Sequence, residues 1–270
     1  MMIIDSHNHS EFSIDAEYTV LEMAKAAAKM GIEVFAITDH CDVDDYEKNN
    51  LAVSVPSSIH AIEVARASLP IKLLTGVELG QSLQNIQKAD YVLNNYNLDY
   101  VIGSIHVTKG EKDFYWMDYE SMIDSEIEAA LEKYYNEVYE LAKWNKFDSL
   151  AHITYPYRYI INAKAKRDIN INADKFDEIA AEVFKLIIKN GKAIENNSSS
   201  FTKSKEDYAL NYKYLKMYFD LGGEFVTTGS DAHTPNIVGN GILEGYEMLK
   251  EIGFQSVTYF EKRKPIQVSI

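Results

Sequence analysis

The sequence has one cysteine, no long apolar run and too few basic residues to balance its acidic ones. The single Cys41 excludes a disulfide within the chain and is typical of a reducing compartment. No apolar stretch approaches the ~18–20 residues that cross a bilayer, and no basic segment followed by an apolar one marks a signal peptide. We therefore expect a cytoplasmic protein without a membrane partner.

The excess of acidic residues restricts the class of partner. The 270 residues include 27 Lys and Arg against 41 Asp and Glu, a formal net charge of −14. Such a protein repels the phosphate backbone of DNA or RNA, so we do not expect a nucleic-acid partner. An anion can still bind where metal ions or local cations reverse the field. Nothing in the sequence indicates the oligomeric state.

Strand-like and helix-like segments alternate along the chain. Apolar segments such as residues 34–38 and Tyr100–Ser104 are followed by segments with helical periodicity. Thr19 and Glu22 form a capping-box pattern at the start of the first helix. Strands separated by helices pair in parallel, and a long series of them favours a closed or nearly closed (β/α) barrel. We expect one domain over residues 1–270.

Three long segments are predicted as loops, and one segment near the C-terminus has two interpretations. The predicted loops, which are polar or aromatic, span residues 41–56, 109–118 and 153–173. Long loops at one end of a barrel usually carry function. Residues 256–260 are either an eighth strand or an edge strand.

The positions of the histidines carry the strongest functional signal. His7 and His9 follow the first strand, and residues i and i+2 of an extended segment point to one face. The two imidazoles therefore point in the same direction, where they could be ligands of the same metal ion. His60 lies inside a predicted helix and is interpreted as a surface or packing residue. Further candidate ligands follow other strands or the first loop: His40, His106, His152, His233, Glu78, Asp231 and Asp15.

These candidates are too many for one ion. The carboxyl ends of parallel barrel strands lie on one face, so we expect six imidazoles and three carboxylates to converge there. One zinc ion takes about four ligands, and the set therefore predicts two or three divalent ions sharing a carboxylate. Zinc, manganese or iron suits mixed His and carboxylate ligands. Such ions activate water for attack on phosphorus without a protein nucleophile. A Cys41–His40 nucleophile pair is the alternative.

Four motif regions resemble the PHP (polymerase and histidinol phosphatase) family over nearly the whole chain. They are DSHNHS at residues 5–10, ITDHCD at 37–42, IGSIHV at 102–107 with LAHI at 150–153, and GSDAH at 229–233. The resemblance implies a distorted (β/α)7, TIM-like barrel with a trinuclear metal site.

The resemblance also implies how the ligands divide among three ions. Glu78 would be the bridging carboxylate, and Glu78, Asp231 and His233 would be catalytic residues around an activated hydroxide. The three implied groups are His7, His9, Glu78 and Asp231; Glu78, His106 and His152; and Asp15, His40 and His233.

Within the family, a chain of this size without a polymerase region resembles the stand-alone histidinol-phosphate phosphatases. Arg158 follows His152 by six residues, like an arginine of those enzymes, and would bind phosphate through its guanidinium fork. A surface arginine in a Tyr-rich loop is the alternative. A second arginine, which those enzymes often carry after the sixth strand, is missing here. The candidate substrate contacts in that region are Asn197, Lys203 and Lys205.

We therefore expect a metal-dependent phosphomonoesterase that acts on a small phosphorylated substrate. The substrate that we expect before any other is L-histidinol phosphate. One alternative is a phosphoesterase of the same scaffold acting on nucleotides, sugar phosphates or phosphotyrosine. Another is a non-catalytic metal-binding regulatory domain, which would not need the full ligand set. Tyr115 and Trp116 either cover the organic part of the substrate or pack against the barrel rim.

Overall fold

Seven parallel strands form the centre of the fold. The computed structural model describes residues 1–164, 166–199, 201 and 204–270. Each strand is hydrogen bonded to the next in sequence order. The Ser6 amide donates to Thr228 O over 2.8 Å, so the first and last strands adjoin and the predicted (β/α)7 barrel is nearly closed. The strands are β1 (Ile4–Asp5), β2 (Val34–Ile37), β3 (Lys72–Gly80), β4 (Tyr100–Ser104), β5 (Ser149–Leu150), β6 (Ala193–Asn197) and β7 (Val226–Gly229).

Helices surround the barrel and bury the outer face of its sheet, while the inner face is buried in the barrel interior. All four residues of β2 are buried, as expected of a parallel strand covered by helices. The predicted capping box is present, because Thr19 accepts from the Glu22 amide and the Glu22 carboxylate accepts from the Thr19 amide. The described helices are α1 (Val20–Lys29), α2 (Leu51–Arg66), α3 (Ile86–Asn95), α4 (Asp124–Trp144), α5 (Tyr155–Lys164), α6 (Asp177–Lys189), α7 (Lys205–Asp220) and α8 (Ile242–Ile252).

Two of the three predicted loops contain helix instead. The whole of α5 lies within residues 153–173, and α2 begins at Leu51, inside the predicted loop at residues 41–56. Proline explains both errors. Pro156 lies in the first turn of α5, where its missing N–H costs nothing. Pro56 is inside α2, whereas the sequence predicts that it ends the loop at residues 41–56.

The segment after α8 is not an eighth barrel strand. It forms β8 (Ser256–Glu261), which pairs antiparallel with β9 (Lys264–Ser269) in a separate two-stranded sheet. Arg263, in the turn of this hairpin, pairs with the buried Asp148 next to β5. Phe260 stacks on Tyr100 at the start of β4, with ring centroids 5.5 Å apart. The hairpin therefore covers the amino ends of the strands and leaves their carboxyl ends open.

Among the described residues, no helix has both the length and the apolar character needed to cross a membrane.

Candidate metal centre

The predicted ligands come together at the carboxyl ends of the strands. A cavity of about 620 Å³ opens there. His7 and His9 are fully buried at its base, and the Asp15 side chain is 52% exposed. The cavity is lined by the remaining candidates, namely Asp15, His40, Glu78, His106, His152, Asp231 and His233.

Glu78 lies at the centre of the cluster, on β3, and is inaccessible to solvent. Its Oε1 is 2.9 Å from His152 Nε2 and 3.0 Å from His106 Nε2. Its Oε2 is 2.9 Å from His40 Nδ1 and 3.4 Å from His7 Nε2. The two carboxylate oxygens therefore face different histidines, as a bridging ligand requires.

His7 and His9, which are fully buried, meet Asp231 in a second part of the cluster. The Nε2 atoms of His7 and His9 are 3.1 Å apart, and they lie 3.7 Å and 3.4 Å from Asp231 Oδ1. Gly229 allows this approach, since a Cβ there would lie 2.3 Å from His7 Cβ. Strand β7 thus needs glycine where it passes β1.

The third predicted group lies toward the cavity mouth. Asp15 Oδ1 is 3.5 Å from His40 Nε2, and its Oδ2 is 3.2 Å from His233 Nε2. The His233 ring stacks on that of His9, with centroids 4.1 Å apart. The group is therefore continuous with the deeper part of the cluster.

Two carboxylates outside the predicted ligand set contact the Nδ1 atoms of ligand histidines. Glu195 Oε1 is 2.6 Å from His7 Nδ1, and its Oε2 accepts from the His152 amide over 2.8 Å. Asp42 Oδ1 is 3.3 Å from His106 Nδ1. Such contacts orient a ligand ring and leave its Nε2 for a metal. Asp42 is part of the ITDHCD motif, whereas only the tertiary structure places Glu195 against His7.

Ion pairing opposes the effect of burial on the pKa of Glu78 and of His106, but not on that of His9. Burial lowers the pKa of His106, but Glu78 and Asp42 raise it more, to about 10. Burial raises the pKa of Glu78, yet His106, His7 and His40 hold it well below the ordinary range. Burial and the charges of His233 and His40 hold the pKa of His9 well below its usual value. Glu78 is thus an anion ready to bind a cation, while His106 must release a proton.

The donor set fits divalent transition metals. Among the described residues, five groupings have ligand atoms within 4.8 Å of one another, and three of them match or overlap the three groups implied by the resemblance. Glu78 Oε2 and His40 Nδ1 are buried and lie 2.9 Å apart, but they are not aligned for a hydrogen bond. Such an arrangement costs free energy unless another partner binds these atoms. The three that match or overlap are His7, His9 and Glu78; Glu78, His106 and His152; and His9, His40 and His233.

Arg158 lines the same cavity from the first turn of α5. Its Nη1 donates to Asp231 Oδ2 over 3.2 Å, and its Nη2 donates to Asn197 Oδ1 over 2.7 Å. Asn197 Nδ2 donates to Asp231 Oδ2 and Glu195 Oε2. Asn197 therefore uses both ends of its amide within the protein and acts as a spacer between Arg158 and the ligands.

The other predicted substrate contacts have different positions. Lys205 is exposed at the start of α7 and is not among the described residues that line the cavity. Lys203 lies outside the described residues. Tyr115 and Trp116 line the cavity and are 57% and 70% exposed. The Tyr115 ring also packs edge-on against the Tyr159 ring of α5, with centroids 5.6 Å apart, so contact with a substrate stays a prediction.

His60 and Cys41 are not among the predicted metal ligands. His60 is exposed on α2, as predicted. Cys41 is fully buried, and burial raises the pKa of its thiol. A nucleophilic cysteine needs a lowered pKa, so the structure does not favour the Cys41–His40 pair.

Curated relatives match the chain over almost its full length. A probable histidinol-phosphatase of Clostridium acetobutylicum is 29% identical over 263 residues, covering 97% of this chain and 98% of the relative. A probable histidinol-phosphatase of Thermotoga maritima is 30% identical over 253 residues, covering 94% of each.

Solved structures share the fold. Histidinol phosphate phosphatase from Lactococcus lactis, crystallised with zinc, L-histidinol and phosphate, has a TM-score of 0.79 at 21% identity, with 98% of both chains covered. A putative histidinol phosphatase from Listeria monocytogenes has a TM-score of 0.67 at 16% identity, covering 89% of this chain and 99% of the other. The predicted TIM-like barrel is confirmed.

The family assignment agrees with the motifs and with the geometry of the cluster. The model of the PHP domain family matches residues 5–199. The chain belongs to the PHP domain family.

Proposed function

We propose that the protein is a metal-dependent phosphatase that hydrolyses a small phosphomonoester, with L-histidinol phosphate as its substrate. The observation that carries the proposal is Glu78, whose two oxygens face separate histidines in one cavity that Arg158 also lines. The relatives in Clostridium acetobutylicum and Thermotoga maritima support the choice of substrate, since both are named probable histidinol-phosphatases and align almost end to end.

Two to three divalent transition-metal ions, zinc, manganese or iron, complete the proposed site. When bound, such ions activate water and neutralise charge on a phosphoryl group. Glu78 is the ligand that two ions would share. The proposed ligands are His7, His9, Asp15, His40, Glu78, His106, His152, Asp231 and His233.

The protein's own groups supply positioning and charge. Burial opposes the charge of the Arg158 guanidinium, but Asp231 raises its pKa, so it stays cationic. Its hydrogen bonds to Asp231 and Asn197 fix the plane of the fork beside the cavity, where it would bind phosphoryl oxygens. Glu78, Asp231 and His233 are the proposed catalytic residues that hold and orient the attacking water.

The proposed functional unit comprises residues 1–270. Asp231 and His233 lie beyond residue 199, where the match to the family model ends, yet both line the cavity. The site therefore needs β7 and the turn after it. A cytoplasmic location and the lack of a nucleic-acid partner stay predictions.

Phosphate release from a substrate panel tests the proposal. The panel contains L-histidinol phosphate, phosphotyrosine, a nucleoside monophosphate, a sugar phosphate and a dinucleotide diester. We expect the highest kcat/KM for L-histidinol phosphate, loss of activity with a chelator and recovery with zinc, manganese or iron. Preference for another member of the panel would refute the substrate, and full activity of metal-free protein would refute the mechanism.

A further inference from the structure

Asp113 is a cavity carboxylate without a place among the proposed metal ligands. Five carboxylates line the cavity. Three of them, Asp15, Glu78 and Asp231, are proposed ligands. Asp42 contacts the proposed ligand His106. The fifth, Asp113, lies on the loop between β4 and α4, next to the exposed Tyr115 and Trp116.

Two contacts fix the carboxylate of Asp113 near the metal ligands. Its Oδ1 accepts from the Tyr155 hydroxyl over 2.9 Å and from the Tyr115 amide over 2.7 Å. The Tyr155 ring in turn packs against the rings of His106 and His152, with centroid distances of 4.9 Å and 5.1 Å. One tyrosine side chain therefore spans the interval between Asp113 and the histidine cluster.

The second oxygen of Asp113 has no partner in the part of the chain that the structure describes. None of the described residues donates a hydrogen bond to Oδ2, and no described lysine or arginine lies within 4.0 Å of the carboxylate. A negative charge in a cavity wall, beside exposed aromatic faces that attract cations, suits a ligand with a positive group. Arg158 and the metal ligands, in contrast, suit a phosphate.

We propose that Asp113 binds the ammonium group of the substrate and so selects phosphomonoesters that carry an amine. The inference rests on the proposed function and adds a specificity residue to it. L-Histidinol phosphate carries its ammonium on the carbon next to the phosphorylated methylene, so its two charges are close together. Its phosphate would lie at the ions and Arg158, and its ammonium at Asp113 Oδ2.

A purely structural role for Asp113 makes a different prediction. Its Oδ1 caps the single turn Phe114–Trp116, and asparagine is as good a cap as aspartate. Asp113→Asn therefore keeps the cap acceptor and the partner of Tyr155 while removing the charge. If Asp113 only shapes the loop, this substitution changes the handling of all substrates alike.

The test compares L-histidinol phosphate with its analogue lacking the amine, 3-(imidazol-4-yl)propyl phosphate. Assays at about pH 7.5 keep most of the imidazole neutral in both compounds, given an ordinary pKa of about 6.5. We expect Asp113→Asn to lower the ratio of the two kcat/KM values about ten-fold or more, the loss typical of one charge-assisted contact. Asp113→Glu, which keeps the charge, should retain more of that preference.

Glu111→Gln is the matched control. Glu111 lies on the same loop, pairs with Lys133 and is not among the described residues that line the cavity. Its substitution should leave the ratio at the parental value. An unchanged ratio in Asp113→Asn, with the parent active on L-histidinol phosphate, overturns the ammonium site alone. A parent inactive on L-histidinol phosphate but active on another ester of the panel overturns the proposed function instead.

Discussion

Arg158 Nη1 donates a hydrogen bond to Asp231 Oδ2 over 3.2 Å. The proposed phosphate-binding residue thus contacts a proposed metal ligand directly. Asp231 also accepts from Asn197 Nδ2, so its carboxylate keeps one partner if the arginine is removed. Asn197 can therefore hold Asp231 in place when Arg158 is replaced, so that substrate binding and metal binding can be tested one at a time.

Replacement of Arg158 should weaken catalysis and leave the metal content intact. Loss of a bidentate contact costs about 1.5–3 kcal/mol, so Arg158→Ala should lower kcat/KM about ten- to a hundred-fold. Arg158→Lys keeps the charge without the fork and should recover only part of the loss. Steady-state kinetics with elemental analysis measures both effects. Lys164→Ala, an exposed position on the same helix, is the control, and an Arg158→Ala enzyme equal to the parent would remove the phosphate-binding assignment.

Replacement of Glu78 should lower the metal content as well as the turnover. Glu78→Gln removes the negative charge that faces His152 and His106 on one side and His40 and His7 on the other. We expect metal content and turnover to fall together, because the proposed shared ligand loses its charge. Elemental analysis and phosphate release of the same preparation provide the measurement. Full metal content with parental turnover would show that Glu78 is not a bridge.

Replacement of Glu195 tests whether its contact with His7 Nδ1 contributes to metal affinity. Glu195→Gln keeps an oxygen near His7 Nδ1 but removes the charge paired with it. Substitution of such partners typically costs about 10- to 100-fold in metal affinity or activity. We expect metal affinity, measured by competition with a chelator, to fall within this range. Glu47→Gln, an exposed glutamate paired with Lys88, should bind metal like the parent, and an equal affinity in Glu195→Gln would contradict the assignment.

Metal binding should release protons at neutral pH. In the metal-free protein the Glu78 and Asp42 carboxylates raise the pKa of His106 to about 10 despite burial, so His106 carries a proton at pH 7. A metal ion must displace that proton, and apparent affinity should therefore rise as pH increases from about 6 to 9. Titration calorimetry in buffers of different ionisation enthalpy measures the release. Binding enthalpy independent of the buffer, with pH-independent affinity, would contradict this account.

Much of the fold and the cluster could be predicted from sequence because a parallel barrel converts position along a strand into position in space. His7, His106 and His233 are far apart in the chain, but each follows a strand, and all strands end on one face. The spacing of the residues alone does not divide the ligands among the ions or identify the bridging carboxylate. The family resemblance implies both the division and the role of Glu78.

The remaining features depend on tertiary contacts. The contact of Glu195 with His7 joins β6 to β1, and no local pattern in either strand predicts it. Helix α5 was missed because Pro156 and its aromatic neighbours read as a loop, whereas the aromatic faces pack into the core. Residues 256–260 fit either a barrel strand or an edge strand, because a hairpin that covers the barrel has the same apolar composition.

The most direct test of the account is the activity of metal-free protein on L-histidinol phosphate as zinc or manganese is added stepwise, with the bound ions counted at each step. We expect no phosphate release without metal, and turnover that appears only when more than one ion is bound per chain. Full turnover without metal, or a maximum at one ion per chain, would contradict it.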